Sequence, residues 1–439
     1  MLCLALCAVV IDNTILNVAL PTLRRALHAN ETDLQWITTA YALTLSGLLL
    51  PFGVLGDRFG RRGVLLAGLV VFASASVAAS FTTTPLQLSL ARGAMGVGGA
   101  AVTPSTLSLL GNIFSAEERV RAIAIWSGVA GLAAAAGPVA GGLLLSRFWW
   151  GSVFLVNVPV VTLTVVGAVV LLPRSRAPVP RPIDGRGSLL WAGSLALLLF
   201  AVIEGPVRGW RSFPVLAAGA VACGLLVLFA RQERRARAPM LPPPVARDRR
   251  MRAGATSVVG MFFALFGTQF TLTQWIQGSL GRSALVAGLC FTPMALATVV
   301  TTNRGPRLAR RIGPRAVVTA GLAVMGSGLA LAAIAETVSG HGRTASLIPV
   351  AAALVVVGSG QGLAIPSGVE LMMTSVPAAQ AGSAAGVNET LVEAGGAVGV
   401  AVLGSALAAG SGFALPIFLA AGAAGVAAAT VHRTLRPRR

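Results

Sequence analysis

Four ionisable residues stand where so apolar a chain has least reason to keep them. Asp12 lies midway along the apolar run 1–23, Arg92 in the outer half of the run 86–113, and Glu389 and Glu393 inside the run 382–408. A charge at membrane depth costs about 3 kcal/mol or more, so each marks an ion pair, a proton site or a cation-recognition site. Glu389 and Glu393 are four residues apart and share one helix face, which suits them to hold a proton between them and to attract a cation. Asp12 can serve the same end, with Arg92 as its anchor or as an anchor for backbone carbonyls. A buried structural hydrogen bond is the competing reading for each acid. Glu204, Glu336 and Glu370 sit nearer the ends of their runs and can reach water.

Covalent chemistry finds no such support. His28, His341 and His432 fall in loops or the tail, and the chain has no lysine with which to complete a Gly-x-x-x-x-Gly-Lys nucleotide loop. Cys3, Cys7, Cys223 and Cys290 lie in apolar runs without metal-ligand spacing. No catalytic residue, metal or cofactor is expected, and energy must come from an ion gradient.

The elements that hold these residues follow from composition. With 439 residues, 55% hydrophobic and 11% charged, and mean hydropathy +0.81, the chain has more apolar surface than a soluble domain can bury. Apolar runs fall at 1–23, 34–55, 63–82, 86–113, 121–145, 153–172, 188–206, 214–230, 252–277, 284–303, 315–336, 346–368, 382–408 and 412–431, mostly near the roughly 20 residues that span a bilayer. None alternates like a barrel strand, so an all-α membrane protein of fourteen helices is expected. The first run has no basic leader or small-residue cleavage site and carries Asp12, which reads as a spanning helix rather than a signal peptide.

The net charge of +20 comes from 34 arginines, and their placement is informative. With both termini inside, 26 of the 34 fall in inner loops and the tail, 7 in outer loops and one, Arg92, within a helix. Basic residues stay on the cytoplasmic side, so the charge reads as a topology signal, with both termini cytoplasmic and no nucleic-acid partner.

Gly53 to Arg62, reading GVLGDRFGRR, forms a charged hairpin between two apolar runs. Asp57 within it can pair with nearby arginines or cap a helix, as a latch that closes one conformation, and a solvated turn is the plainer reading. Gly53, Gly60 and Gly63 are expected to permit the turn and close approach. The pattern Leu55-x-Asp57-Arg58-Phe59-Gly60-x-Arg62 returns weakly as Leu308-x-Arg310-Arg311-Ile312-Gly313-x-Arg315. Between the copies, 231–252 holds eight arginines and a proline run not expected to be helical, as a linker would. Two related six-helix bundles, 1–173 and 252–439, with an inserted helix pair in 174–251, are the expected domains.

Gly137, Pro138, Gly141 and Gly142 place small residues and a kink in the run 121–145, either for plain packing or to seal the outer side. Phe262, Phe266, Gln269 and Thr273, followed by Gln274, recur at helical spacing and read either as helix packing or as the wall of a greasy cavity. Trp149, Trp150 and Trp210 fall at interfaces, as belt residues do.

The hairpin GVLGDRFGRR resembles the signature of the major facilitator superfamily. IDNTILNVALP (11–21), LARGAMGVGGA (90–100), AGPVAGG (136–142), WGSVFLVNVP (150–159) and AGSAAGVNETLVEAGGAVGVAVLGS (381–405) resemble its fourteen-helix drug:proton antiporter branch, the quaternary-ammonium and multidrug efflux type. The chain departs from the pattern at Ala133, where a further glycine is usual, and at Thr39, where some exporters of quaternary ammonium compounds carry an acid, which puts divalent substrates in question. The resemblance implies proton-coupled efflux of lipophilic, often cationic, drugs across the cell membrane. Asp12, Glu389, Glu393 and Arg92 would couple protons and recognise cations. Gly53, Asp57, Arg58, Gly60, Arg61 and Arg62 would form the latch. Asn17, Trp36, Thr39, Phe262, Phe266, Gln269 and Gln274 would line the cavity. Partners would be small substrates, protons and membrane lipids, with the protein a monomer. Proton-coupled uptake of a nutrient is the alternative, and a non-transporting membrane sensor a more distant one.

Overall fold

A chain crossing lipid must satisfy its own backbone amides, and the computed structural model does so with helices. It describes residues 1–113, 116–173, 184–236, 239, 243–338, 346–376, 381–409 and 412–436, and no strand occurs among them. The helices are α1 (Leu2–Ala26), α2 (Glu31–Phe59), α3 (Arg61–Ser80), α4 (Pro85–Ile113), α5 (Ala116–Arg147), α6 (Ser152–Leu155), α7 (Asn157–Leu171), α8 (Gly185–Arg208) and α9 (Phe213–Arg235). After these come α10 (Pro243–Arg247), α11 (Arg249–Gln274) with a terminal π turn (Trp275–Ser279), α12 (Ala284–Thr302), α13 (Gly305–Ile312), α14 (Pro314–Val338), α15 (Ile348–Met373), α16 (Ala381–Ala408) and α17 (Ala414–Thr434). Among the described residues, eleven spans are long and apolar enough to cross a membrane, counting α6 with α7 and α11 with its π turn. α2, α4 and α5 are 29, 29 and 32 residues long besides.

Several helices outrun the apolar stretches that announce them, because polar residues after an N-cap are helical too. α2 starts at Glu31, where the Asn30 side chain accepts from the Asp33 amide at 2.8 Å and the Asp33 carboxylate accepts from the Asn30 amide at 2.9 Å. α11 starts at Arg249, capped by Asp248, whose carboxylate accepts from the Arg250 and Met251 amides. The proline run in 231–252 corrects the sequence expectation. Pro243 opens the short helix α10, at the first-turn position where a missing amide hydrogen costs nothing.

Two compact units divide the described chain, one comprising 1–198 and 217–240, the other 199–216 and 241–439. In the first, α4 packs against α2 and α3, and α5 against α1. α4 approaches α3 closely because Gly98 has no side chain: a Cβ there would fall 2.7 Å from the Gly68 carbonyl oxygen and the Phe72 amide. In the second unit α15 packs on α12 and α14, α16 on α11, and α17 on α14. Its core gathers Met261, Leu265, Trp275, Met325, Leu354 and Ile417 from these helices.

Candidate functional site

In the first unit the structure joins two of the acid and base residues that the sequence singles out. Asp12 on α1 and Arg92 on α4 are both wholly buried, and Arg92 Nη1 donates to Asp12 Oδ2. The second carboxylate oxygen, Oδ1, accepts from Asn157 Nδ2 at 2.7 Å, and that amide also reaches Ser76 Oγ on α3 at 3.3 Å. Tyr41 on α2, the chain's single tyrosine, lies under the Arg92 guanidinium with its ring centre 4.4 Å away. One carboxylate thus ties α1 to α4 and α7, and its charge is balanced on the spot. Such a pair is costly to build in low dielectric, and costlier still to leave half-made.

The glycines of 136–142 serve this cluster's helix. A Cβ on Gly137 would strike the Thr14 hydroxyl, and one on Gly141 would lie 2.7 Å from Ile15 Cγ1 and 3.2 Å from the Ile15 carbonyl oxygen. Both contacts fall within a turn of Asp12, so α5 lies against α1 where the acid sits. Pro138 and Gly142 are buried in the same stretch of α5.

At the hairpin, Gly60 joins α2 to α3 as a single residue with φ 108°, a conformation that side chains rarely adopt. Arg62 donates to the Leu172 and Val169 carbonyl oxygens at 2.8 and 2.6 Å, which satisfies the open C-terminal end of α7 with a cation. Arg58 is exposed and lies over the Phe59 ring, and Arg61 is half-buried beside Gly56. Gly53 meets only ordinary contact with Pro104, and Gly63 faces open space, which corrects the expectation that Gly63 is needed for close approach. The side chain of Asp57 lies outside the described residues. In the second unit the related stretch repeats the geometry: Gly313, φ 86°, alone joins α13 to α14. Arg315, two residues on, reaches His432 Nε2 at the end of α17 at 2.9 Å.

Glu389 and Glu393 lie one turn apart on α16, Glu393 buried and Glu389 partly so. Asn388 Nδ2 donates to Glu389 Oε1 at 3.4 Å. Lower on the helix, α16 presses against α11 so closely that Gly396 abuts the Phe266 ring and Gly399 the Phe263 carbonyl. Phe262 and Phe266 meet edge to face with centroids 5.6 Å apart. Along the same helix Thr268 Oγ1, Gln269 Oε1 and Thr273 Oγ1 are buried with no hydrogen-bond partner among the described residues, and Gln274 is buried beyond them. The α11 stripe therefore combines packing rings with unspent polar atoms. In the first unit the remaining candidates are more committed. Thr39 is wholly buried and its hydroxyl donates to the Gln35 carbonyl at 2.7 Å, Asn17 reaches back to the Asn13 carbonyl at 3.4 Å, and Trp36 is half-buried.

Sequence reading passed over Asn157, Ser76, Tyr41 and the π turn. Asn157 carried a usable signal: it is a polar amide in an apolar run, two residues before Pro159, where the span breaks at Val156 between α6 and α7. The π turn at Trp275, stacked on Phe413 with centroids 4.7 Å apart, had none.

The model of the Major Facilitator Superfamily matches residues 2–400 and, again, 254–439. Multidrug resistance protein Stp of Mycobacterium tuberculosis is 34% identical over 410 residues, covering 92% of this chain and 74% of that protein. The tetracenomycin C resistance and export protein of Streptomyces glaucescens is 32% identical over 93% of this chain and 75% of its own length. The multidrug efflux pump LfrA of Mycolicibacterium smegmatis is 35% identical over 92% and 79% respectively. Among solved structures, a peptide transporter POT in complex with sulfate superposes with a TM-score of 0.73 at 15% identity, covering 98% of this chain and 92% of that one, a likeness of fold.

Proposed function

We propose that this chain, which belongs to the major facilitator superfamily, exports lipophilic, cationic drugs across the cytoplasmic membrane in exchange for protons by alternating access. The observation that carries this reading is the match of more than nine-tenths of the chain to proteins named for drug resistance and efflux. It is a transport protein, not an enzyme, so the work is done by binding and by charge.

In this reading the ionised Glu389 and Glu393 attract a cation while the site faces inward, and protons entering from outside neutralise the acids and release it. Asp12 has a different task. Its charge is already met by Arg92 and its second oxygen by Asn157, so it holds α1, α4 and α7 together. The unspent polar atoms of α11 and the rings of Phe262 and Phe266 suit the wall of the drug site. One charge crossing 100 mV is worth about 2.3 kcal/mol. At about 1.4 kcal/mol per decade that sustains a gradient of roughly fifty-fold per proton.

The architecture that goes with this reading is fourteen spans in two related six-helix bundles, 1–173 and 252–439, with α8 and α9 inserted in 174–251 and both termini cytoplasmic. Its supports are the paired single-glycine hinges Gly60 and Gly313, the second family match over 254–439, and the arginine asymmetry. Growth inhibition by dyes, biocides and antibiotics in a pump-deleted host, with and without the gene, tests the function. Raised tolerance to several unrelated lipophilic cations, abolished by a protonophore, is expected. Unchanged tolerance across the panel in cells that make the protein contradicts it.

A further inference from the structure

The short helix α13 (Gly305–Ile312) is left without a task by the transport reading. It joins α12 to α14, two apolar spans, and so lies at a membrane face whichever way the chain is oriented. Its sequence, GPRLARRI, sets Arg307, Arg310 and Arg311 at spacings of three and four, and all three are exposed on one face. The opposite face is seated on the protein. Gly305 and Ala309 are buried, and a Cβ on Gly305 would lie 3.6 Å from the Gly362 and Leu363 carbonyl oxygens of α15. At the C-terminal end of the helix, next to Arg311 in sequence, Ile312 is 54% exposed.

Charge makes the surface specific. From Arg304 to Arg315 there are five arginines and no acid, whereas the related hairpin has Asp57 where this one has Arg310. Some arginines are given acceptors by the protein itself, among them Arg62 by the end of α7, Arg315 by His432 and Arg249 by the Arg436 carbonyl at 3.4 Å. Among the described residues, Arg307, Arg310 and Arg311 have none. Three guanidinium forks beside an exposed isoleucine, on a helix held at the bilayer surface, match a phosphate diester with acyl chains behind it.

We propose that α13 is a docking surface for anionic phospholipid, with the three arginines on the headgroup phosphates and Ile312 among the acyl chains. Each arginine near an anionic surface contributes about fivefold in affinity, so the three together contribute roughly a hundredfold. The proposal does not depend on which solute is carried.

The test is retention of phosphatidylglycerol by the purified full-length chain during detergent exchange, counted as lipid per protein against phosphatidylcholine. The wild type should keep phosphatidylglycerol selectively, and inorganic phosphate should not displace it. Arg307→Gln/Arg310→Gln/Arg311→Gln should abolish the selectivity, Ile312→Ser should weaken retention severalfold with all charge in place, and Arg433→Gln/Arg436→Gln should leave it unchanged. Equal retention of the two lipids by the wild type overturns the proposal. So does displacement by inorganic phosphate, which makes the site one for free anion, or equal loss in the Arg433/Arg436 variant, which makes it general charge attraction.

Discussion

Arg92 on α4 donates through Nη1 to Oδ2 of Asp12 on α1, and neither side chain has any exposed surface. The remaining oxygen is taken by Asn157 of α7. A carboxylate so enclosed is poorly placed to recruit a drug cation, and the proposed mechanism therefore assigns that role to the acids of α16.

Breaking this pair from one side should cost far more than removing both halves. Arg92→Met is expected to lose about 3–5 kcal/mol of stability, because Asp12 is left charged and unpaired, while Arg92→Met with Asp12→Asn should regain most of it. Thermal unfolding of the detergent-purified variants reads the difference. Equal stability of Arg92→Met and wild type means the pair carries no such load.

The two hinge glycines should be intolerant and their neighbour tolerant. Gly60→Ala and Gly313→Ala force a side chain into positive φ and should each cost about 1–3 kcal/mol. Gly63→Ala meets open space and should change stability by less than about 0.5 kcal/mol. Comparable losses at all three positions would remove the special role of the hinges.

If Asp57 acts as a latch, Asp57→Asn should reduce efflux about tenfold while leaving membrane insertion intact, since the amide keeps the shape and removes the charge that a latch would use. Drug accumulation in cells, normalised to membrane protein, measures it. Normal efflux would reduce Asp57 to a topology element.

Reporter fusions after Arg181 and after Pro243 should both report cytoplasm, and one between 339 and 343 the outside. An outside signal at Pro243 would mean that an odd number of crossings separates the two fusions, so that α8 and α9 do not both span, and the fourteen-span architecture fails.

Much of this was readable in the residues. Each apolar run contains a long helix, because lipid leaves a backbone no other way to satisfy its amides, and hydropathy records that directly. Helix ends were less legible: Asn30 and Asp248 extend α2 and α11 with capping side chains that hydropathy counts as loop. The cost of charge in lipid marked Asp12 and Arg92 as special and made Arg92 a candidate anchor for Asp12, although their contact spans 80 residues and no local pattern encodes it. Ser76 was missed because a lone hydroxyl in an apolar run gains meaning only when its neighbour across the bundle is known, whereas Asn157, an amide in an apolar run just before Pro159, could have been marked. Gly63 was misjudged because glycine beside a turn looks the same whether or not anything approaches it.

The central claim is that the acids of α16 exchange protons for a cation, and one measurement meets it directly. Everted vesicles, their lumen acidified, take up ethidium through an exporter of this kind. Wild type should drive that uptake with ΔpH and not with a sodium gradient, and the purified protein should release protons on adding drug. Glu389→Gln/Glu393→Gln, inserted at normal levels, should lose both signals, and each single variant should lose more with cationic than with neutral drugs, since a cation loses its counter-charge. A double variant that still couples ethidium uptake to ΔpH contradicts the account and places the proton elsewhere.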